Sequence, residues 1–219
     1  MDALEAMRTI GSTRFFRPED VPDEVVRRAA EAARFAPQGG NRQPVRLVVV
    51  RDPAKKQRLA ELYLPTWRAY FEAAESGTRE LGEYSSARRA LLDANAFAES
   101  LGSHPLIIVV CARIAALHIT DLELGRPSVV GGASIYPYVQ NLCIALRTEG
   151  VATTITTLLV ASEPAVKELL GIPEGYLTAA HVVAGYPAKG FPRRLTRLPV
   201  EETVFVDAFG DSISRPAVP

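Results

Sequence analysis

The sequence predicts one domain that combines helices with a β-sheet, and three observations support this. Segments with apolar residues at helical spacing alternate along the chain with short runs of β-branched and apolar residues. No internal repeat, low-complexity stretch or Gly/Ser linker divides the 219 residues. A chain of about 200 residues is long enough to bury one sizeable hydrophobic core. We therefore expect residues 1–219 to form a single domain.

The first half of the chain predicts a helix, two strands and a helical insert. Residues 21–36 carry apolar side chains on one face, and Pro22 suits the first helical position. The runs 45–51 and 105–112 predict strands, and the second is apolar throughout, so it is expected to be buried on both faces. Between them, residues 54–102 are helical in composition and rich in aromatic side chains.

The second half predicts a helix, two strands with a short helix between them, and a terminal strand. Residues 134–149 have helical spacing, and the helix either begins near Pro137 or kinks there. The segments 151–160 and 178–187 are strand candidates. In the tail at 201–219, the run ETVFVDAF predicts a last strand, which we expect to pair outside its own core, on a second subunit.

Charge and hydropathy limit the kinds of partner. The chain has 25 basic and 25 acidic residues and a net charge of zero, whereas nucleic-acid and membrane-surface binders usually carry a basic excess. The longest apolar runs are too short to span a membrane, and the acidic, polar N-terminus is unlike a signal peptide. Cys111 and Cys143 lie in apolar segments, which argues against a disulfide scaffold. We expect a soluble, cytoplasmic protein that binds neither nucleic acid nor membrane.

Several common catalytic motifs are absent from the sequence. There is no G-x-G, no Gly-Lys pair and no G-x-S-x-G, which excludes the Rossmann fingerprint, the Walker A loop and the hydrolase elbow. The three histidines and two cysteines lack metal-ligand spacing, so no metal site is predicted. His181 is expected to be a core histidine with its hydrogen bonds satisfied. Asp121 and Glu123 are either an acid/base pair or, as we favour, part of a solvated loop. If the protein is an enzyme, a cofactor carries its chemistry.

Three polar segments remain as candidate binding elements. Residues 8–16 are basic and hydroxylated, and residues 36–44 hold a Gly-Gly-Asn sequence that lets backbone approach a ligand closely. Residues 189–197 contain four cations, with no acidic residue between Ala179 and Val200. A local basic cluster in a neutral protein suits a phosphate group. Taken singly, the first segment favours solvated helix-end charges and the third an exposed loop, whereas the second is equally compatible with a simple turn.

In chain order, the pattern resembles the FMN-dependent nitroreductase family over nearly the whole chain. The segments that carry the resemblance are S-x-R-x-F at Ser12, Arg14 and Phe16, AARFAPQGGNRQPVRLVVVRDP at 32–53, GGASIYPYVQNLCIALRTEGVATTITTL at 131–158, LGIPEGYLTAAHVVAGYP at 170–187 and TRLPVEETV at 196–204.

The resemblance implies an α+β fold, a three-layer sandwich whose mixed, mostly antiparallel sheet is flanked by helices. It also implies an intertwined homodimer with FMN at each of two subunit interfaces. The insert at 63–102 would form a helical lid, and the extension at 201–219 would pack on the partner subunit.

Site residues follow from the resemblance position by position. Ser12 and Arg14 would contact the FMN phosphate or the pyrimidine edge, Arg14 stabilising negative charge on the flavin, and Arg197 would bind the phosphate. The partner chain would supply Pro37, Gln38, Gly39 and Asn41, and Gln43 would also contact the cofactor. The ring would be lined by Thr154, Ile155, Thr156 and Thr157. Ile10 and Gly11 depart from the family, which usually has phosphate-contacting Arg or His residues there, and Arg8, Arg193 or Arg194 would compensate. Trp67, Tyr70 and Phe71 would contact substrate or make up a packing face.

The implied reaction is ping-pong hydride transfer from NADH or NADPH, through FMN, to a nitroaromatic, quinone or conjugated-carbonyl acceptor. No side chain is expected to act as a general acid. Three alternatives stay open at this point. They are an FMN-sequestering dimer without turnover, a biosynthetic flavin-dependent dehydrogenase reoxidised by oxygen, and a structural dimer without cofactor.

Overall fold

A computed structural model describes residues 1–76, 87–193 and 195–214. The helices and strands of this part are, in chain order, α1 (Ala3–Thr9), α2 (Asp23–Ala33), β1 (Val45–Val50), α3 (Pro53–Glu75), α4 (Ala87–Glu99), β2 (Leu106–Arg113), α5 (Tyr136–Thr148), β3 (Ala152–Thr156), α6 (Glu163–Leu170) and β4 (Tyr176–Gly185). None of the helices in these ranges has the length and apolar character needed to cross a membrane.

The four strands form one sheet in the order β1-β2-β4-β3, and every neighbouring pair is antiparallel. Central strand β2 is buried over its whole length except Arg113, as its apolar sequence predicts. The parallel component of the expected mixed sheet is not found in the described ranges.

Helices cover both faces of the sheet, which gives the expected three-layer α+β sandwich. On β4, Ala180, Val182 and Ala184 point into a core shared with α2 and α5. The alternate residue Val183 belongs to a second core with α3, α4 and α6. Since successive strand residues face opposite sides, β4 contributes to both cores at once.

The structure refines the predicted helices and shortens one strand. α5 begins beside Pro137, which lies in its first turn and therefore does not kink it. Gly150 ends this region with a φ of 79°, as a helix stop requires. β3 stops at Thr156 because the chain turns into a short 3-10 helix over residues 158–162. The insert forms α3 and α4, and residues 77–86 between them lie outside the described residues.

The predicted terminal strand is wrong. Instead of extending, the tail reverses direction and closes on itself through a single bridge between Phe205 and Ser212. Asp207 and Gly210 have φ values of 63° and 108°, which bend the backbone out of the extended conformation. Residues 215–219 lie outside the described part of the chain, and packing of the tail on a second subunit stays a prediction.

Candidate active site

A cavity of about 350 Å³ lies between α3, α4 and the end of β3. Tyr63, Trp67 and Tyr70 of α3 form one wall, and residues 154–158 form another. Arg14 supplies the one charged side chain among the described residues that line the cavity. The structure thus brings together Arg14, all four predicted residues Thr154–Thr157, and two of the three predicted substrate contacts.

The residues next to Arg14 are hydrogen-bonded to β3. The backbone N–H of Thr13 donates to the carbonyl oxygen of Thr153 at 2.9 Å. In the opposite direction, the hydroxyl of Thr154 donates to the carbonyl oxygen of Thr13. The polypeptide preceding α2 is therefore bound to the edge of the sheet, and this attachment places Arg14 on the cavity wall.

The guanidinium of Arg14 has no hydrogen-bond or ion-pair partner in the ranges that the structure describes. Its side chain is half-buried. Partial burial of a cation weakens its hydration, and this cost is normally offset by a carboxylate or another anion. An arginine presents five N–H donors in a planar fork suited to oxygen acceptors. Arg14 is thus positioned to receive an anionic or carbonyl-rich ligand.

Three aromatic rings of α3 stack in series along one wall of the cavity. The rings of Tyr63 and Trp67 have centroids 6.2 Å apart and are inclined by 10°, and those of Trp67 and Tyr70 lie 5.5 Å apart. The indole N–H of Trp67 donates to Oδ1 of Asn95 on α4 at 2.8 Å, which fixes the orientation of the indole. An aromatic, mostly apolar wall of this kind suits an aromatic ligand. Phe71 packs against Trp67 but does not line the cavity.

Neutral hydroxyl groups line the floor of the cavity. The hydroxyl of Thr156 donates to the phenol oxygen of Tyr63 at 3.4 Å. Burial raises the pKa of the Tyr63 phenol, so that it remains protonated near neutral pH. These hydroxyls can donate hydrogen bonds to a ligand without adding charge to the cavity. Tyr63 is a lining residue that the resemblance did not assign, although the aromatic density of the insert indicated its region.

His181 lies beneath this floor as the cross-strand partner of Thr156. It is 1% exposed, as predicted for a core histidine, but neither ring nitrogen has a hydrogen-bond partner in the described part of the chain. The backbone of Thr156 interacts with the imidazole without reaching hydrogen-bond geometry, so the expectation of a satisfied histidine is wrong. Burial lowers the pKa of His181 to about 4, so its imidazole is neutral near pH 7.

The loop at residues 37–43, which was predicted to serve the partner chain's site, does not line the Arg14 cavity of its own chain. Pro37, Gln38 and Gly39 line a separate cavity of about 480 Å³. Asn41 and Gln43 are exposed, with φ values of 51° and 48°. One chain alone therefore does not bring this loop to Arg14. The expectation that the loop serves a second subunit stays a prediction.

The described cations outside the Arg14 segment that were predicted to bind the phosphate do not line the cavity. Arg8 is exposed in the last turn of α1. Arg197 is also exposed, and its guanidinium donates to the carbonyl oxygen of the neighbouring Thr196 at 2.7 Å. Arg194 lies outside the described residues. Ser12 lines a smaller cavity that adjoins Arg14.

Close packing of neighbouring side chains explains why position 11 is a glycine. A Cβ atom built at this position would lie 2.9 Å from Cδ2 of Leu195 and 3.1 Å from Cγ of Pro192. Any larger residue would have to displace these side chains. The departure at Gly11 therefore replaces a cation of the family pattern with close apolar packing.

Asp121 was expected in a solvated loop, but it is buried and structural. Its carboxylate accepts hydrogen bonds from the side chains of Arg126 at 2.8 Å and Ser128 at 2.6 Å, and from the backbone N–H of Val129 at 2.8 Å. These hydrogen bonds, Ser128 foremost, hold the pKa of Asp121 well below its usual range. Asp121 therefore organises its own loop, whereas Glu123 is exposed and forms no acid/base pair with it.

The family comparison agrees with this geometry. A family model described as the nitroreductase family matches residues 8–186, which include Arg14, β3 and β4. The chain belongs to the nitroreductase family. The predicted family and α+β fold are thereby confirmed, and the expected oxidoreductase activity is confirmed at that general level.

Relatives by sequence carry the names of oxidoreductases. This member of the nitroreductase family is 31% identical to a protein named NADH dehydrogenase from Thermus thermophilus, over 93% of this chain and 95% of the relative. It is 27% identical to iodotyrosine deiodinase 1 from Rattus norvegicus over 82% of this chain, and the match spans 60% of that relative.

Solved structures share the fold. The NADPH:FMN oxidoreductase of Vibrio harveyi, complexed with NAD+, superposes with a TM-score of 0.67 and 22% identity, covering 94% of this chain and 77% of that one. Iodotyrosine deiodinase bound to FMN and 3-iodo-L-tyrosine gives a TM-score of 0.71 and 19% identity, covering 95% and 100%. Both structures share the three-layer fold of this family member.

Proposed function

We propose that the protein is an FMN-dependent oxidoreductase that takes electrons from NADH or NADPH and passes them to a planar, conjugated small molecule. One observation carries the proposal. The half-buried guanidinium of Arg14, without a protein partner in the described ranges, lies on a cavity otherwise lined by aromatic rings, aliphatic groups and hydroxyls. Family membership and the flavin-binding structural neighbours support the choice of FMN.

The residues of the cavity fit the chemistry of a flavin ring. An isoalloxazine is planar, with hydrogen-bonding oxygens and nitrogens along its pyrimidine edge. The stacked rings of α3 match its planar surface, and Arg14 with the Thr154–Thr157 segment matches its polar edge. A volume of about 350 Å³ lies within the range of ordinary small-molecule sites. When bound, FMN supplies the two-electron redox chemistry of the site.

Each element of the cavity then has a role. Arg14 would hold the pyrimidine edge of the flavin and would favour negative charge there. Thr156 and Tyr63 hold neutral hydroxyls at the floor, where they orient a bound ring through hydrogen bonds. The aromatic wall excludes water from one side of the site. A proton for the acceptor comes from solvent, since the described lining residues include no carboxylate or histidine.

The acceptor class follows from the same lining. With Arg14 engaged by the flavin, the remaining described lining residues are uncharged. A neutral nitroaromatic, quinone or conjugated carbonyl compound suits this cavity. A second subunit completes it in our proposal, contributing the loop that contains Pro37, Gln38, Gly39, Asn41 and Gln43.

The visible spectrum of the purified protein tests the proposal. It is expected to show bound flavin that bleaches anaerobically on addition of NADPH or NADH and recovers with a quinone. Bound flavin that neither nucleotide reduces would favour the sequestering alternative instead. Protein that does not bind added FMN at all would refute the proposal. Sedimentation of the same preparation tests the dimer.

A further inference from the structure

The cavity of about 480 Å³ beside residues 37–39 contains a histidine that the proposed function does not use. Its other walls are residues 116–120, which follow β2, and residues 130–134, which precede α5. His118 carries the one titratable side chain among the described residues that line it. The described linings of this cavity and of the Arg14 cavity have no residue in common, so the two are separate within one chain.

Hydrogen bonds between distant segments form this cavity in the single chain. The backbone N–H of Gly39 donates to Oγ of Ser134 at 3.0 Å, which fixes the loop to the approach of α5. On the opposite wall, the N–H of Gly131 donates to Oγ of Ser128 at 3.3 Å. The hydroxyl of Ser128 in turn donates to the carboxylate of Asp121 at 2.6 Å. The walls are therefore held in place before any ligand or second copy arrives.

The Asp121 loop positions His118 at the edge of the cavity. His118 precedes Asp121 by three residues, and the carboxylate of Asp121 closes the loop through Ser128 and the backbone of Val129. The imidazole is exposed and has no hydrogen-bond or ion-pair partner in the ranges that the structure describes. A histidine always has at least one ring N–H, so His118 can donate a hydrogen bond to a ligand.

The surroundings of this cavity fit contact with a second copy of the chain. Phe35 precedes the loop and is 76% exposed, and Val129 precedes residues 130–134 and is 71% exposed. Exposed apolar side chains beside a cavity are typical of an interaction surface. In the proposed function, residues 37–39 contribute to the flavin site of the other subunit. A ligand that contacts them from the cavity side also meets His118, because the same cavity holds both.

The acceptors of the proposed function need a hydrogen-bond donor of this kind. A quinone becomes a hydroquinone by taking up one hydride, which originates from NADH or NADPH, and one proton, which comes from solvent. Negative charge develops on its oxygen during this step, and a donor placed there stabilises the transition state. Arg14 is engaged by the flavin in the proposed function, and the other described residues of its cavity are uncharged.

We propose that His118 of one subunit donates a hydrogen bond to the oxygen of the acceptor bound in the Arg14 cavity of the other subunit. This inference rests on the proposed function, because it assumes both the flavin in that cavity and the dimer. It assigns the acceptor a polar contact that neither chain supplies alone.

Stopped-flow reoxidation of the flavin-loaded protein tests the contact. The variants are His118→Phe, His118→Gln, which keeps an N–H donor, and the control Glu123→Gln, an exposed residue of the same loop outside the cavity lining. We expect H118F to slow reoxidation by benzoquinone about tenfold to a hundredfold, the effect of one hydrogen bond to developing charge. We expect H118Q to recover most of this loss and E123Q to match the wild type. FMN affinity, reduction by NADPH and reoxidation by ferricyanide, which needs no such bond, are expected to stay unchanged.

A mixed dimer tests whether the contact crosses the interface. One chain carries Arg14→Gln and the other His118→Phe, and two affinity tags isolate the mixed species. If His118 acts on the other subunit's site, one site has both residues intact and the dimer retains about half of the wild-type benzoquinone activity. If His118 acts within its own chain, each site carries one defect and that activity is lost.

The outcomes separate the inference from the proposed function. Unchanged benzoquinone reoxidation in H118F, or a mixed dimer without an intact site, would overturn the inference and leave the flavoenzyme standing. Weakened FMN binding or equally slowed ferricyanide reoxidation in H118F would indicate a structural role and overturn it as well. A wild type that turns over as a monomer in sedimentation would also overturn it. Failure of the wild type to bind FMN would refute the proposed function itself.

Discussion

Replacing His181 with leucine is expected to remove a large part of the acid sensitivity of the fold. The imidazole is buried, and neither ring nitrogen has a hydrogen-bond partner in the ranges that the structure describes. Protonation would place a charge in the core that the backbone of Thr156 offsets only in part, so the folded state resists it. Leucine has a similar size, carries no polar atoms and does not titrate.

The magnitude follows from the shift in pKa. Folding lowers the pKa of His181 from 6.5 to about 4, so between these values the unfolded state binds more protons than the folded state. The free energy of unfolding is therefore undiminished above pH 6.5 and falls as the pH decreases towards 4. The full loss is about 3 kcal/mol, at about 1.4 kcal/mol per pH unit, and about 2 kcal/mol of it is expected between pH 7.5 and 5.

Urea denaturation of wild type and His181→Leu at pH 7.5, 6 and 5, at one protein concentration, measures this difference. His104, whose pKa burial also lowers, is present in both proteins, so its contribution cancels. We expect the wild type to lose about 2 kcal/mol more than H181L on acidification to pH 5. Identical pH slopes would show that His181 is hydrated or paired in solution and would refute the reasoning.

Three further perturbations test the site. Arg14→Gln is expected to weaken FMN binding by about tenfold to a hundredfold with an unchanged melting temperature, and unaltered affinity in a titration would remove Arg14 from the site. Trp67→Ala should cost about 3–5 kcal/mol in urea unfolding, whereas Trp67→Phe, which loses mainly the bond to Asn95, should cost about 1 kcal/mol. Equal costs would contradict an oriented indole. Gly11→Val should destabilise by about 1–3 kcal/mol through contact with Leu195, and a neutral effect in the same assay would mean that the side chains of Leu195 and Pro192 move away freely.

Much of the fold could be predicted from local pattern. The apolar run of β2 and the helical spacing of α2 and α5 identify those elements, because burial imposes period-specific patterns on sequence. The strand prediction for the tail is wrong. Its apolar residues resemble a strand, but the positive φ values at Asp207 and Gly210 fold the backbone back. Aspartate and glycine are both enriched at positive φ, so the sequence did carry a turn signal, which the apolar run outweighed in the prediction.

The site was predictable where it follows chain order and less so where it depends on tertiary contacts. Arg14 and the Thr154–Thr157 segment line one cavity, as the resemblance implied. The chain after β4 lies beside the segment that carries Arg14 because of hydrogen bonds between distant residues, which no local spacing reveals. The same limitation applies to Asp121, whose burial is set by a loop that folds around its carboxylate.

The pairing of Phe15 and Arg17 with the chain after β4 has a consequence for biosynthesis. Arg14 leaves the ribosome well before the backbone that faces its neighbours. A nascent chain that has not yet reached Ala188 lacks one of the two supports of the cavity wall. Flavin capture is consequently expected to follow synthesis of the last strand, and a C-terminally truncated protein ending before β4 should not retain the cofactor.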